Sequence, residues 1–352
     1  MVSVRQVAQK AGVSAVTVSR VVNDRGNVTD STRQRVNEAI RELNYIPNAA
    51  ARSLKGARTG LIALLTTDIS SPFFSSVARG AEDAARAAGL ILIQGNSAED
   101  SDIEAAYLRA FGELRVEGLV LTPSPHAGEI LRRRIPAHIP VVLLDRRSEG
   151  FEADVVRCDT RSATYELSRH LLSLGHKRIA LVGGQPIVET WFHRVEGYRR
   201  ALAEAGLGTS SHLEVQVAHA GLRAFDVGVA AIQELAKLPS MPDAVIASNA
   251  QVSIGIVEAL SGLGLRVPED MAVASIDDPI PFSTRADFWG AMTCVVQPGY
   301  DMGTRAVELL TERCNGSSVP PRDVLFQAAL RIGTSCGELS SGIVRGAVSP
   351  VA

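Results

Sequence analysis

A chain of 352 residues, 46% of them hydrophobic and 21% charged, has enough apolar surface for two or three packed domains, and its formal net charge is only −2. Apolar runs such as Leu61 to Leu65 are far too short to cross a bilayer, and the polar start (Ser3, Arg5, Gln6, Lys10) does not read as a secretory segment, so a cytoplasmic protein without a membrane partner is expected. The four cysteines, Cys158, Cys294, Cys314 and Cys336, show no CxxC pairing and no His cluster, which argues against a disulfide framework or a metal site and favours buried thiols.

The charge is unevenly placed. Residues 1–60 hold ten Lys/Arg against four Asp/Glu, a balance of +6, so the remainder carries −8. A basic head on an acidic body directs the head alone towards a polyanion.

Within residues 1–46 three short helical patterns follow one another. The first, Val4 to Ala11, places Val4, Val7, Ala8 and Ala11 on one face. Gly12-Val13 breaks it, and Ser14 can cap a second helix running from about Ala15 to Asn23 with Val18, Val21 and Val22 inward. The third, about Thr32 to Leu43, has Asp30 or Ser31 as its cap and Val36, Ala39, Ile40 and Leu43 as its inner stripe. A helix-turn-helix needs a small residue at the helix crossing, a glycine in the turn, and apolar residues that seat the second helix. Ala8, Gly12, Val13, Val18 and Val21 fall at those places. The second helix then exposes Ala15, Val16, Thr17, Ser19 and Arg20 to a major groove. Arg20 can grip guanine through two hydrogen bonds, and Ala15 and Val16 can touch thymine methyls. Thr17 and Ser19 suit phosphates. Ser14 and Asn23, at the helix ends, complete the candidate contacts of the head. A plain three-helix domain is the alternative; the full spacing together with the positive charge argues against it.

Residues 47–60 form a candidate hinge. Pro47 fits the first position of a helix, yet the segment is too short to be stable alone, and such a segment can order on binding. Leu54 sits among Arg52, Lys55 and Arg58, an arrangement suited to wedging open a base step from the minor groove while cations hold phosphates. A flexible linker with one incidental leucine is the other reading.

Head and hinge together resemble the lactose-repressor (LacI/GalR) family of bacterial regulators. The resemblance is carried by Val4-Arg5-Gln6-Val7-Ala8, Gly12-Val13-Ser14, Thr17-Val18-Ser19-Arg20-Val21-Val22-Asn23, Leu43-Asn44-Tyr45, Pro47-Asn48 and Ala51-Arg52-Ser53-Leu54. It implies base reading by Ala15, Val16 and Arg20, and hinge contacts from Asn48, Ala51, Arg52 and Leu54. It also implies a homodimer on palindromic double-stranded operator DNA, with two hinge helices in one minor groove.

From residue 61 the pattern becomes alternating strands and amphipathic helices. Expected strands are 61–66, 90–94, 118–121, 140–144, 178–182, 213–217, 244–247 and 271–275. Expected helices include 74–88, 103–114, 162–174, 195–205, 225–238 and 252–263. Such alternation makes parallel sheets with helices on both faces, and eight or more units exceed one sheet, so two lobes are expected. The fold class is therefore an all-α helix-turn-helix head plus an α/β two-lobed body, which the family resemblance makes periplasmic-binding-protein-like with three crossovers. Those crossovers are placed near Asp159, Trp289 and Pro320. They give one lobe at about 61–158 and 289–320 and the other at about 159–288 and 321–337, with a flexible tail at 338–352.

Ligands of such sheets sit beyond the carboxyl ends of the strands. There the chain offers Asp68, Ser70 to Phe74, Asp145-Arg146, Gly183-Gly184, Trp191 to Arg194, Ser248-Asn249 and Asp277-Asp278. Forks of Arg, Asp and Asn match adjacent hydroxyls, and aromatic faces pack on the C–H surface of a ring, so the chemistry suits a sugar-like polyol. The resemblance implies an effector site at Phe73, Asp145, Thr190, Arg194, Asn249 and Asp277, to which Phe74 and Trp191 are added as neighbours. Three features depart from a simple carry-over. Many relatives have Asn-Asp where Asn249-Ala250 stands, Trp191 and Phe192 crowd the loop, and Arg146 adds a cation able to attract phosphate or carboxylate. The tail lacks heptads, so no tetramerising coiled coil is expected.

Two other classes compete with an effector-controlled repressor of a carbohydrate operon. A transport-type sugar-binding protein would not need the basic head. An enzyme would need a site. No GxGxxG follows the first strand, no P-loop occurs, Gly183-Gly184-Gln185-Pro186 is too short for a dinucleotide, and no nucleophile–base pair can be placed, so neither catalysis nor a cofactor is expected. A regulator that needs its ligand as co-repressor, a nucleobase or sugar phosphate, stays open.

Overall fold

The computed structural model describes residues 2–22, 26–45, 58–125, 127–184, 187–208, 213–216, 223–279 and 292–337. The chain divides into two units, residues 1–59 and 60–352. Asn23, the hinge candidates Asn48, Ala51, Arg52 and Leu54, the crossing expected at Trp289 and the tail 338–352 lie outside the described residues.

The head contains α1 (Val4–Ala11), α2 (Ala15–Val22) and α3 (Asp30–Glu42). None is long enough to persist in water by itself. They hold together through one core of Val7, Ala8, Ala11, Val18, Val21, Val36 and Ala39, the positions that the helical spacing had placed inward. An ion pair of 2.6 Å from Lys10 to Glu42 ties α1 to the end of α3.

The body is built from two six-stranded sheets. The first lobe takes β1 (Leu61–Thr66), α4 (Pro72–Ala87), β2 (Ile91–Asn96), α5 (Ser101–Leu114), β3 (Leu119–Leu121), α6 (Gly128–Arg134), β4 (Val141–Leu144) and β5 (Asp154–Cys158). After Asp159 the chain enters the second lobe: α7 (Thr160–Ser173), β6 (Ile179–Val182), α8 (Glu189–Glu204), β7 (Glu214–Val215), α9 (Ala224–Leu235), β8 (Ala244–Ala247), α10 (Ala250–Gly262), β9 (Ala272–Ile276) and β10 (Thr293–Val296). Then α11 (Gly299–Cys314) and β11 (Asp323–Phe326) return to the first lobe, and β12 (Ala329–Arg331) goes back to the second. The strand orders are β11-β5-β4-β3-β1-β2 and β12-β10-β9-β8-β6-β7. The pairs are parallel except β10 with β12. One topology has been used twice.

Each sheet is buried on both faces, which is why its strands read as apolar runs rather than as alternation with polar residues. In β1, Ile62 and Leu64 meet Val77 and Ala81 of α4 and Met302 and Ala306 of α11. Ala63 and Leu65 point the other way, to Leu108 and Phe111 of α5 and Leu131 of α6. In β8, Val245 and Ala247 join α9 and α10, while Ala244 and Ile246 join α7 and α8.

Two expected crossings move. β10 pairs with β9, and α11 packs on the first lobe, so the second crossing falls at Gln297-Pro298 rather than Trp289. β11 pairs with β5, so the third falls between Phe326 and Ala329 rather than at Pro320. The physical reason is the same in both. Each crossing comes after a short strand, and the sequence pattern marks only the loop upstream of that strand. The strands β5, β10, β11 and β12 were not anticipated, being only three to five residues long. The four cysteines are free thiols, Cys158, Cys294 and Cys336 among them buried.

Candidate functional site

In the head, the turn between α1 and α2 is fixed by local chemistry. The Ser3 hydroxyl accepts from the Gln6 amide, and the Gln6 side chain accepts from the Ser3 amide at 2.8 Å, which closes the start of α1. Gly12, at φ 64, ends α1 in the left-handed conformation, and the Val13 amide returns to the Ala8 carbonyl at 3.0 Å. The Ser14 hydroxyl then accepts from the Thr17 amide at 3.1 Å and opens α2. With Val18 and Val21 buried, α2 turns Val16 (62% exposed) and Arg20 outward and leaves Thr17 and Ser19 half-exposed. Two candidates are partly occupied within the head itself. Ala15 is half-buried against the head core, and the Thr17 hydroxyl is engaged at 2.9 Å with that of Ser14.

In the body, a cleft of about 1410 Å³ lies between the lobes. Phe73, Phe74, Asp145, Thr190, Trp191, Arg194, Asn249 and Asp277 all line it. They come from the carboxyl ends of strands in both sheets, where the twofold use of one topology makes the strand ends converge. Asp145 follows β4 at φ 70, its amide bonded to the Val156 carbonyl. Asp277 follows β9 at φ 67, its amide bonded to the Val295 carbonyl. The two lobes thus deliver equivalent aspartates in the same unusual conformation, and non-glycine residues hold that conformation mainly where surroundings over-determine it. Burial pushes the Asp277 carboxyl up to about 6, against the pull of its 2.9 Å hydrogen bond from Gln297 and of Arg194. Burial raises Asp145 too, opposed by Arg146 and Arg194, and lowers Arg194, opposed by Asp145 and Asp277.

Several buried polar atoms of this wall have no protein partner: Trp191 Nε1, Arg194 Nε, Ser248 Oγ and Gln297 Oε1. Trp191 itself is only 2% exposed and lies flat against Gly184, at φ 80, where a Cβ would come within 2.1 Å of the indole. Asn249 spends its Oδ1 on the Val252 amide at 2.9 Å, capping α10, so its NH2 group is what it can offer a ligand. The lobes are bridged at the cleft mouth by Gln251 Nε2, which donates to the Ser70 carbonyl (2.9 Å) and hydroxyl (2.8 Å), and elsewhere by the Arg147 amide on Glu189 (2.7 Å).

Three expectations change. Arg146 is committed rather than free: its Nη2 reaches both carboxylate oxygens of Glu99 at 2.8 Å, and its Nε the Pro123 carbonyl at 2.8 Å. Phe192 is 56% exposed and is not part of the wall, so only Trp191 crowds the loop. Ala250 is buried in the first turn of α10, outside the lining. The wall also includes Glu99, Gln251 and Gln297, which the sequence reading missed. Glu99 would have been reached had β2 been carried to Asn96, and Gln297 follows the unanticipated β10.

Residues 59–320 match the family described as periplasmic binding proteins and sugar binding domain of LacI family, and residues 3–48 match bacterial regulatory proteins, lacI family. The chain belongs to the LacI family. It is 33% identical over 315 residues to the HTH-type transcriptional repressor PurR of Vibrio atlanticus, covering 89% of this chain and 92% of that one. It is also 33% identical over 321 residues to the catabolite control protein A of Priestia megaterium, covering 90% and 94%. Among solved structures, a transcriptional regulator CelR–cellobiose complex superposes with a TM-score of 0.67 at 28% identity, covering 95% of this chain and 100% of the other. As a LacI-family member the protein is a DNA-binding transcription regulator: the helix-turn-helix head and the two-lobed ligand domain are the family's two parts. No helix among the described residues is long and apolar enough to cross a membrane.

Proposed function

We propose that the protein is a homodimeric repressor whose hold on a palindromic operator is weakened when an uncharged, hydroxyl-rich ligand, a sugar or close derivative, fills the cleft. The observation that carries this reading is the set of unpartnered polar atoms, Trp191 Nε1, Arg194 Nε, Ser248 Oγ and Gln297 Oε1, set beside Asp145 and Asp277. A buried donor or acceptor left unmatched is destabilising by about 1–3 kcal/mol, so each of the four on this wall gains by pairing with a ligand. The wall offers both donors (the indole and the guanidinium) and acceptors (two carboxylates and an amide oxygen), as hydroxyls require because each both donates and accepts. Phe73 and Phe74, edge to face with centroids 5.0 Å apart, supply the apolar wall for ring carbons. The cellobiose carried by the similar regulator is a ligand of this chemical kind.

On the DNA side, Ala15, Val16 and Arg20 are the base readers, Thr17 and Ser19 reach phosphates, and Ser14 and Asn23 add contacts at the helix ends. Asn48, Ala51, Arg52 and Leu54 form the hinge contact. Leu54→Ala is expected to weaken specific operator binding much more than non-specific binding; equal losses on both duplexes would remove the wedge. The ligand reading is tested by thermal shift of the full chain against neutral pentoses, hexoses and disaccharides. A ligand at a hundred times its dissociation constant stabilises the fold by about 2.7 kcal/mol. No stabilisation by any neutral sugar would contradict the assignment.

A further inference from the structure

We infer that Glu99 sets ligand specificity by sealing Arg146, and so closes the cleft to phosphorylated and carboxylated ligands; this rests on the cleft being the effector site. Arg146 stands directly after Asp145 at the end of β4 and lines the cleft. A guanidinium placed there is the natural fork for a phosphate or carboxylate. Its Nε and Nη2 are already engaged. Its Nη2 is held by both oxygens of Glu99 and its Nε by the Pro123 carbonyl, all at 2.8 Å.

Glu99 is brought to Arg146 from a separate loop, the one after β2, and its delivery is unusual. Ala98 and Glu99 both adopt left-handed backbone, φ 54 and φ 60, without being glycine. Side chains avoid that region because Cβ crowds the following carbonyl. The turn is anchored by the Asp100 amide on the Ser97 carbonyl at 2.9 Å and by Asp100 capping α5. The result is a carboxylate that lines the cleft and faces its neighbour's guanidinium.

The remaining charges sharpen the effect. Arg223 of the wall pairs with Asp226 at 3.1 Å. A ligand anion therefore meets carboxylates from both lobes, while Arg146 is paired with Glu99 and Arg194 stands in the field of both Asp145 and Asp277. A neutral polyol meets no such opposition.

The test uses the full-length protein and two anionic probes, inorganic phosphate and glucose 6-phosphate, titrated in thermal-shift assays with glucose and ribose as neutral partners. Wild type is compared with Glu99→Gln and with the double variant Glu99→Gln/Arg146→Gln. The Glu99 side chain is 30% exposed, so an amide is not forced into the core; Glu99→Ala replaces Glu99→Gln should that variant not fold. Glu99→Gln is expected to bind the anionic probes at least about tenfold more tightly than wild type, and the double variant to lose that gain. Equal anion affinity in wild type and Glu99→Gln, or a gain that survives loss of Arg146, overturns the seal. The neutral sugars separate the two readings. Wild type that binds a neutral sugar beside a Glu99→Gln variant that gains no anion leaves the polyol site standing and removes the seal. The reverse pattern, with no neutral pentose, hexose or disaccharide stabilising wild type, leaves the seal and removes the polyol site.

Discussion

The recognition helix and the effector cleft solve opposite problems. On α2 the proposed DNA-reading residues Val16 and Arg20 are exposed, while Val18 and Val21 are buried in the head core. In the cleft the proposed effector residues are buried or half-buried polar groups, several with unmatched atoms, and the exposed neighbour Phe192 plays no part in the wall. The head is a finished surface that needs a duplex laid on it. The cleft is an interior with polar atoms that a ligand could pair. A regulator gains from this difference: the head can be complete with or without ligand, while the ligand adds most of its energy where two lobes meet. The bridge from Gln251 to Ser70 shows that the lobes already touch across the mouth, so closure has a framework to build on.

Substitutions that act on one region and spare the other would sharpen this contrast. The largest effect is expected from Arg194→Ala. Removing one partner of a buried charge cluster with Asp145 and Asp277 typically removes about 2–5 kcal/mol of ligand binding. Operator affinity without ligand should not change, and calorimetry alongside a gel-shift titration reads both. Next comes Arg20→Ala, which should remove about 1–3 kcal/mol of discrimination at one base pair while leaving sugar affinity intact. Competition between operator and random duplex measures it.

The pH dependence is smaller and has a definite sign. Burial holds the Asp277 carboxyl at about 6, above its ordinary 3.8. The folded group therefore keeps its proton to a higher pH than the unfolded one, and its contribution lowers stability as pH rises from 3.8 to about 6. A hydroxyl-bearing ligand favours the ionised acceptor, so sugar affinity should fall towards about tenfold per unit below pH 6 and be flat from pH 7 to 8. A pH-independent affinity would remove Asp277 from the ligand's partners. The smallest effect is local. Gly12→Ala meets nothing closer than Arg35 at 4.0 Å, so only the φ of 64 opposes it. A loss of about 1–2 kcal/mol in the head follows, read by hydrogen exchange in α1 and α2, with the cleft unaffected.

The head was legible in the sequence because its pattern is contiguous. Ala8, Gly12, Ser14, Val18 and Arg20 lie within one short stretch whose spacing is dictated by helix geometry, and α1 and α2 came out where that spacing put them. The cleft was legible only at strand ends that were themselves visible. Asp145, Asn249 and Asp277 follow apolar runs of four or five residues, so counting past each run found them. Gln297 and Glu99 escaped for two different reasons. The short β10 carries little periodicity, and the pairing of Glu99 with Arg146 joins loops 47 residues apart through strained backbone that composition does not reveal. The crossings at Gln297-Pro298 and beyond Phe326 were misplaced for the first reason as well, since sheet membership is decided by pairing and not by the loop that precedes a strand.

The coupling of the two regions is the central claim, and operator affinity measured with and without a saturating neutral sugar tests it most directly. Ligand-linked equilibria of this kind typically carry about 1–3 kcal/mol, so the sugar should weaken specific operator binding by roughly 5- to 150-fold in wild type and not at all in Arg194→Ala. A sugar that saturates the cleft yet leaves operator affinity unchanged in wild type would contradict it.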